Sequence, residues 1–127
     1  MQNWLALEHE AIWLLPIAGA RFDELNDLAH RTQDAHLIAR DELLERIHRA
    51  GSDPVATALA YDVGPFKTIA EARAAVRQVE SRIAAACLTL VGEVSGDDRT
   101  HATKSLRRAA LAELAWGGKP TAFPGLP

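Results

Sequence analysis

The sequence predicts an all-α fold, a four-helix bundle with a long lengthwise crossover between the second and third helices. Three observations carry this. Alanine and leucine are abundant, and no run of β-branched or aromatic residues alternates with polar ones for long enough to make a strand. Helical periodicity recurs in four segments. The one long connection falls between the second and third of them. With 127 residues, 48% of them apolar and 24% charged, the chain reads as one globular domain large enough to bury a core.

The first helix is expected from about Asn3 to Arg21, with Asn3 as its N-cap. Leu5, Glu8, Ile12, Leu15, Gly19 and Phe22 recur on one face. Pro16 removes one backbone donor and leaves the Ile12 carbonyl without its usual partner, so a kink is expected there. The second helix is expected from Asp23 or Glu24 to Ala50, with Leu25, Leu28, Thr32, His36, Ala39, Leu43 and Ile47 inward. Gly51 and Pro54 stop it. The tight join at Phe22 makes the first two helices an antiparallel hairpin.

Gly51 to Lys67 is the long connection. Asp53 and Pro54 can cap and open a short helix through Leu59, and Gly64-Pro65 breaks the chain again. A helix of about 26 residues is roughly 39 Å long. The connecting segment is long enough to span that distance, and a hairpin turn needs far fewer residues. The second and third helices therefore run parallel. The third opens on the capping box Thr68-Ile69-Ala70-Glu71 and ends near Val94, with Val76, Glu80, Ile83, Cys87 and Leu90 or Val91 inward. The fourth is expected from about Asp98 to Trp116, with Leu106, Ala109, Ala110, Glu113 and Trp116 inward. Gly117-Gly118 and Pro120 end it, so residues 1–117 form the bundle and 118–127 a proline-containing tail. Phe123 and Leu126 are expected either to fold back and seal the bundle end or to dock on a protein partner.

One ionisable residue lies on the inward stripe of each helix: Glu8, His36, Glu80 and Glu113. Counting from the turns places all four at one height. Buried carboxylates must be paired, protonated or bound to a cation. Carboxylates and imidazole from facing helices are the ligand set of di-iron and di-manganese bundles. Arg40, one turn after His36, is the candidate charge partner that would replace a metal.

Several words in the chain carry a family resemblance. They are Leu7-Glu8-His9-Glu10-Ala11-Ile12 with Ala20-Arg21-Phe22, the Arg40-Asp41-Glu42-Leu43 stretch, and Glu45-Arg46-Ile47 before Gly51. Pro65-Phe66 and the ending Pro120-Thr121-Ala122-Phe123-Pro124-Gly125-Leu126 complete the set. The chain resembles an uncharacterised bacterial ferritin-like family over nearly its whole length. That resemblance implies a ferritin-like bundle in which a glutamate at the position of Glu8 is a metal ligand. The ferritin-type Glu-x-x-His motifs are incomplete here. His36 and Ala39 stand where the second helix would carry them, and Glu113 is followed by Trp116 in the place of a histidine.

Two functional readings follow. One is a structural or interaction domain with a degenerate metal site and no cofactor. The other is a metal-binding oxidoreductase using Fe or Mn on an altered ligand set. A third class, a binder of small apolar ligands between the helices, also stays open. A net charge of −3 argues against nucleic acid as a partner. The early apolar run Ala11–Ala20 is too short for a membrane span, and no basic residue precedes it as in a signal peptide. With a single cysteine, Cys87, a cytoplasmic protein is expected. Exposed apolar faces on long helices leave a homodimer open. His9, His30 and His48 read as surface or helix-end residues, Asp98-x-x-His101 as structural, and Arg99, Lys104, Arg107 and Arg108 as a solvated basic face.

Overall fold

The computed structural model describes residues 1–127. It contains four long helices and no strand: α1 (Gln2–Arg21), α2 (Asn26–Arg49), α3 (Ile69–Glu93) and α4 (Gly96–Ala115). A single 3-10 turn, Asp23–Leu25, precedes α2 where the sequence suggested α-helix. α1 begins at Gln2, with Met1 rather than Asn3 at the cap position. α4 likewise begins at Gly96, two residues before Asp98. No helix is long and apolar enough to cross a membrane.

Cross-helix bonds fix the topology. Asn26 Nδ2 reaches the Gly19 carbonyl at 3.4 Å, Gln33 Nε2 the Ile12 carbonyl at 3.4 Å, and His36 meets Glu8, so α1 and α2 are antiparallel. Their closest approach is at Gly19, where an added Cβ would lie 2.9 Å from the Ala29 Cβ. α1 continues through Pro16 as one helix. The carbonyl that Pro16 leaves free, Ile12, is the one that accepts from Gln33. α2 and α4 are also antiparallel: Arg46 pairs with Asp98 near one end, and Trp116 Nε1 donates to Thr32 Oγ1 at the other.

The segment between α2 and α3 runs the length of the bundle along α1. Gln2 side-chain atoms bond the Asp53 carbonyl and the Val55 amide, both at 2.8 Å, and Trp13 further along α1 meets the Tyr61 ring. The expected short helix from Pro54 to Leu59 does not form. Gln2 takes up the Asp53 carbonyl, which a helix there would have bonded internally, and an extended chain covers more distance per residue. Thr68 caps α3 by accepting from the Glu71 amide at 3.1 Å, while Glu71 reaches back to the Lys67 amide at 2.7 Å.

The core is built on two fully buried tryptophans, Trp4 and Trp116, with Leu5, Leu15, Leu25, Leu43, Ile83 and Val76 between them. α4 is rotated from its expected orientation. Its buried residues are His101, Ala102, Ser105 and Ala109, followed by Trp116, whereas Leu106, Ala110 and Glu113 are only partly buried. The tail lies back against α3, with Gly125 over the Ala84 carbonyl. The residues expected to seal the bundle, Phe123 and Leu126, are exposed instead.

Candidate functional site

Three of the four candidate ionisable residues meet in one buried layer. α1 supplies Glu8, α2 His36 and α3 Glu80, each at most 1% exposed. His36 bridges the two acids: Nδ1 lies 2.5 Å from Glu8 Oε2, and Nε2 lies 2.7 Å from Glu80 Oε1. The inward periodicity of each helix puts these positions at the same height, because α1 and α2 fold back at Phe22 and α3 runs parallel to α2.

α4 contributes Arg108 to this layer, not Glu113. Arg108 Nη2 donates to Glu8 Oε1 at 2.9 Å, and its Nη1 reaches the Ala35 carbonyl on α2 at 3.2 Å. Trp4 Nε1, one turn before Glu8, donates to the same Oε1 at 2.7 Å. Every helix therefore places a polar side chain in one connected cluster. The expected charge partner, Arg40, lies at the surface and pairs with its neighbour Asp41 at 2.8 Å. Glu113 is partly buried near the tail, and its carboxyl is shifted above the ordinary value by desolvation and then by the Glu80 charge.

Burial opposes charge on both Glu8 and His36, but the contacts win. Glu8 is held below the usual carboxylate value because the His36 bond and the Arg108 charge outweigh its desolvation. For His36, burial lowers the pKa, yet bonds to Glu8 and Glu80 raise it to about 9. At neutral pH the imidazole thus carries both protons and donates in both directions. Formal charges in the cluster sum to zero, with Glu8 and Glu80 balanced by His36 and Arg108. Glu80 Oε2 is the one buried oxygen of the cluster without a partner.

Sequence reasoning missed Arg108 and the Trp4 bond. The available signals were spacing: Trp4 stands four residues before Glu8, and Arg108 borders the small-residue track Ala102, Ser105, Ala109 and Ala112 that faces inward. His9, read as a surface residue, is buried and holds the crossover through the Val55 carbonyl at 3.3 Å. His101 is buried and stacks on Trp4 with ring centroids 5.0 Å apart. Cys87 is fully buried, and burial pushes its thiol up to about 12, so it is inert filler rather than a nucleophile.

Fold and site together define a four-helix bundle with a polar, charge-balanced layer across its middle. The chain belongs to the DUF4439 family, described as a domain of unknown function, and matches it over residues 1–127. It is similar in structure to a conserved hypothetical protein, rv2844, from Mycobacterium tuberculosis. The two share 24% identity and a TM-score of 0.84, with 90% of this chain and 89% of that one covered. At that identity the likeness speaks for the fold alone. No curated protein matches the chain in sequence.

Proposed function

We propose that this chain is a structural and interaction domain of ferritin-like type, in which a proton on His36 and the Arg108 guanidinium replace a metal centre. The observation that carries the reading is the double engagement of His36. A metal ligand needs a free nitrogen lone pair, and here both ring nitrogens face carboxylate oxygens within 2.7 Å. Glu8 is equally committed, with one oxygen shared by Trp4 and Arg108 and the other held by His36. No three acidic, imidazole or thiol groups are arranged as ligands around one point. The donor set therefore does not fit a di-iron or di-manganese centre, and Glu80 Oε2 alone offers a cation too little. Ala39 and Trp116 at the two histidine positions of the ferritin-type motifs support the same reading.

The test is metal retention read together with protonation. Purified protein is loaded anaerobically with Fe(II), Mn(II) or Zn(II), desalted and analysed by mass spectrometry, beside the Glu8→Ala/Glu80→Ala double variant. The expected result is far less than one metal per chain in well-folded protein, with both His36 ring nitrogens protonated in nitrogen-15 spectra at neutral pH. Near-stoichiometric metal that disappears in the double variant would overturn the reading in favour of an oxidoreductase.

A further inference from the structure

The tail builds a second feature, away from the His36 layer. It is held at both ends by glycines in close contact with backbone. A Cβ on Gly118 would lie 2.7 Å from the Glu113 carbonyl oxygen, and one on Gly125, at φ +88°, would lie 2.8 Å from the Ala84 carbonyl oxygen. Between these anchors the tail carries Pro120 and Pro124, whose fixed φ keeps the span stiff. The span leaves a groove of about 340 Å³ between itself and α4, within the size range of small-molecule sites.

Leu106, Ala110, Leu114 and Pro124 supply apolar walls, and Arg107 and Lys119 stand at the edge. Both cations are exposed, and neither pairs with a carboxylate of this chain. Glu113 offsets only one of them, so the groove has an excess of positive charge beside an apolar floor. Leu111, a further wall residue, is 55% exposed and Leu114 39%, so part of the apolar surface of α4 lies open at this groove. The open leucines and the unpaired cations stand side by side in one groove, and a ligand with an apolar body and one negative charge would match both.

We propose that the groove between α4 and the tail binds a small amphipathic anion, a carboxylate on a short apolar chain or ring. The apolar body lies along Leu106, Ala110 and Leu114 beneath Pro124, and the carboxylate meets Arg107 and Lys119. The tail acts as a preformed wall, so little ordering is lost on binding. The proposal stands apart from the reading of the His36 layer, and either can fail alone.

Octanoate, 1-octanol and octylammonium are titrated into the nitrogen-15-labelled full chain while backbone amides are followed. Saturable shifts centred on the groove are expected, with octanoate binding at least about tenfold more tightly than octanol, the scale of one good charge-assisted contact. The Arg107→Gln/Lys119→Gln variant should lose that preference and keep octanol binding. Ala110→Phe should fill the groove and block both probes, with amide positions elsewhere unchanged as the check on folding. Absence of saturable shifts at the groove, equal affinity for octanoate and octanol, or tightest binding by octylammonium would overturn the proposal. So would shifts at the groove that depend on protein concentration rather than on probe, because a second copy would then be the occupant.

Discussion

Raising the pH from about 6 to about 9 removes a proton from His36 in the unfolded chain before it does so in the folded one. An ordinary histidine titrates at 6.5, and the buried imidazole between Glu8 and Glu80 holds its proton to about 9. The sign follows from proton linkage. Below 6.5 both states are protonated and the stabilisation is fully present; across the window to about 9 it is progressively lost. At roughly 1.4 kcal/mol per pH unit, the loss is about 3 kcal/mol, a large part of the stability of a domain this size. In melting temperature that is about 10 °C. Neighbouring groups act outside the window. Glu8, held low, contributes stability that is lost only as pH falls through the acid range, and His101, pushed down mainly by burial, disfavours the folded state only below 6.5. Cys87, raised from 9.0 to about 12, adds a further loss above 9, so measurements stop there. The assay is urea denaturation followed by circular dichroism at steps across the window, with His36 ring shifts recorded by NMR. A stability that stays flat between pH 6.5 and 9, or a His36 resonance titrating at or below 6.5, would refute the reasoning.

Two further predictions concern the same layer. Glu8→Gln leaves the buried His36 and the half-buried Arg108 against a neutral amide, and should cost about 3–5 kcal/mol in denaturation at neutral pH; a loss under about 1 kcal/mol would mean that the layer relaxes or hydrates freely. Replacing the whole cluster with apolar residues of similar size (Glu8→Met, His36→Leu, Glu80→Met and Arg108→Met together) should be neutral or stabilising by up to about 4 kcal/mol and should abolish the pH dependence between 6.5 and about 9, whereas a marked loss of stability would show that the cluster contributes net binding between helices.

The helices and their order were legible because the signals for them are local. Thr68 and Glu71 form a cap wherever they sit, Gly51 and Pro54 end a helix, and the length of the second connection dictates a lengthwise path. Tertiary contacts overrode two local signals. Asp53-Pro54 has the chemistry of a helix start, but Gln2 captures the backbone there. Pro16 weakens α1, yet Gln33 on α2 satisfies the carbonyl it frees. Glu8, His36 and Glu80 were legible because core residues flank them on unambiguous stripes. α4 was read correctly at Ala109 and Trp116 but turned too far towards Leu106, Ala110 and Glu113, which line the groove beside the tail, while the rest of its core face is made of His101, Ala102 and Ser105. A hydrophobic period cannot tell a core from a groove covered by another segment. That single rotation excluded Glu113 from the layer and hid Arg108, whose neighbours Lys104 and Arg107 are the solvated residues they resemble.

The cluster is better explained by specificity than by strength. Four helices rich in alanine can slide past one another by a turn at small cost in apolar burial, because small side chains interlock weakly. A buried bridge cannot slide. Moving α2 by one turn would separate His36 from both Glu8 and Glu80 and leave His36 and Glu80 without partners in the core, while Glu8 kept only Arg108 and Trp4, a penalty far larger than the packing difference. Arg108 extends the constraint to α4 by holding both Glu8 and the Ala35 carbonyl. Trp4 fixes the rotamer of Glu8 from within α1. One polar contact set thereby selects a single register among all four helices. The His36 bridge and the Arg108 guanidinium impose this constraint through hydrogen bonds whose geometry tolerates no shift of a whole turn.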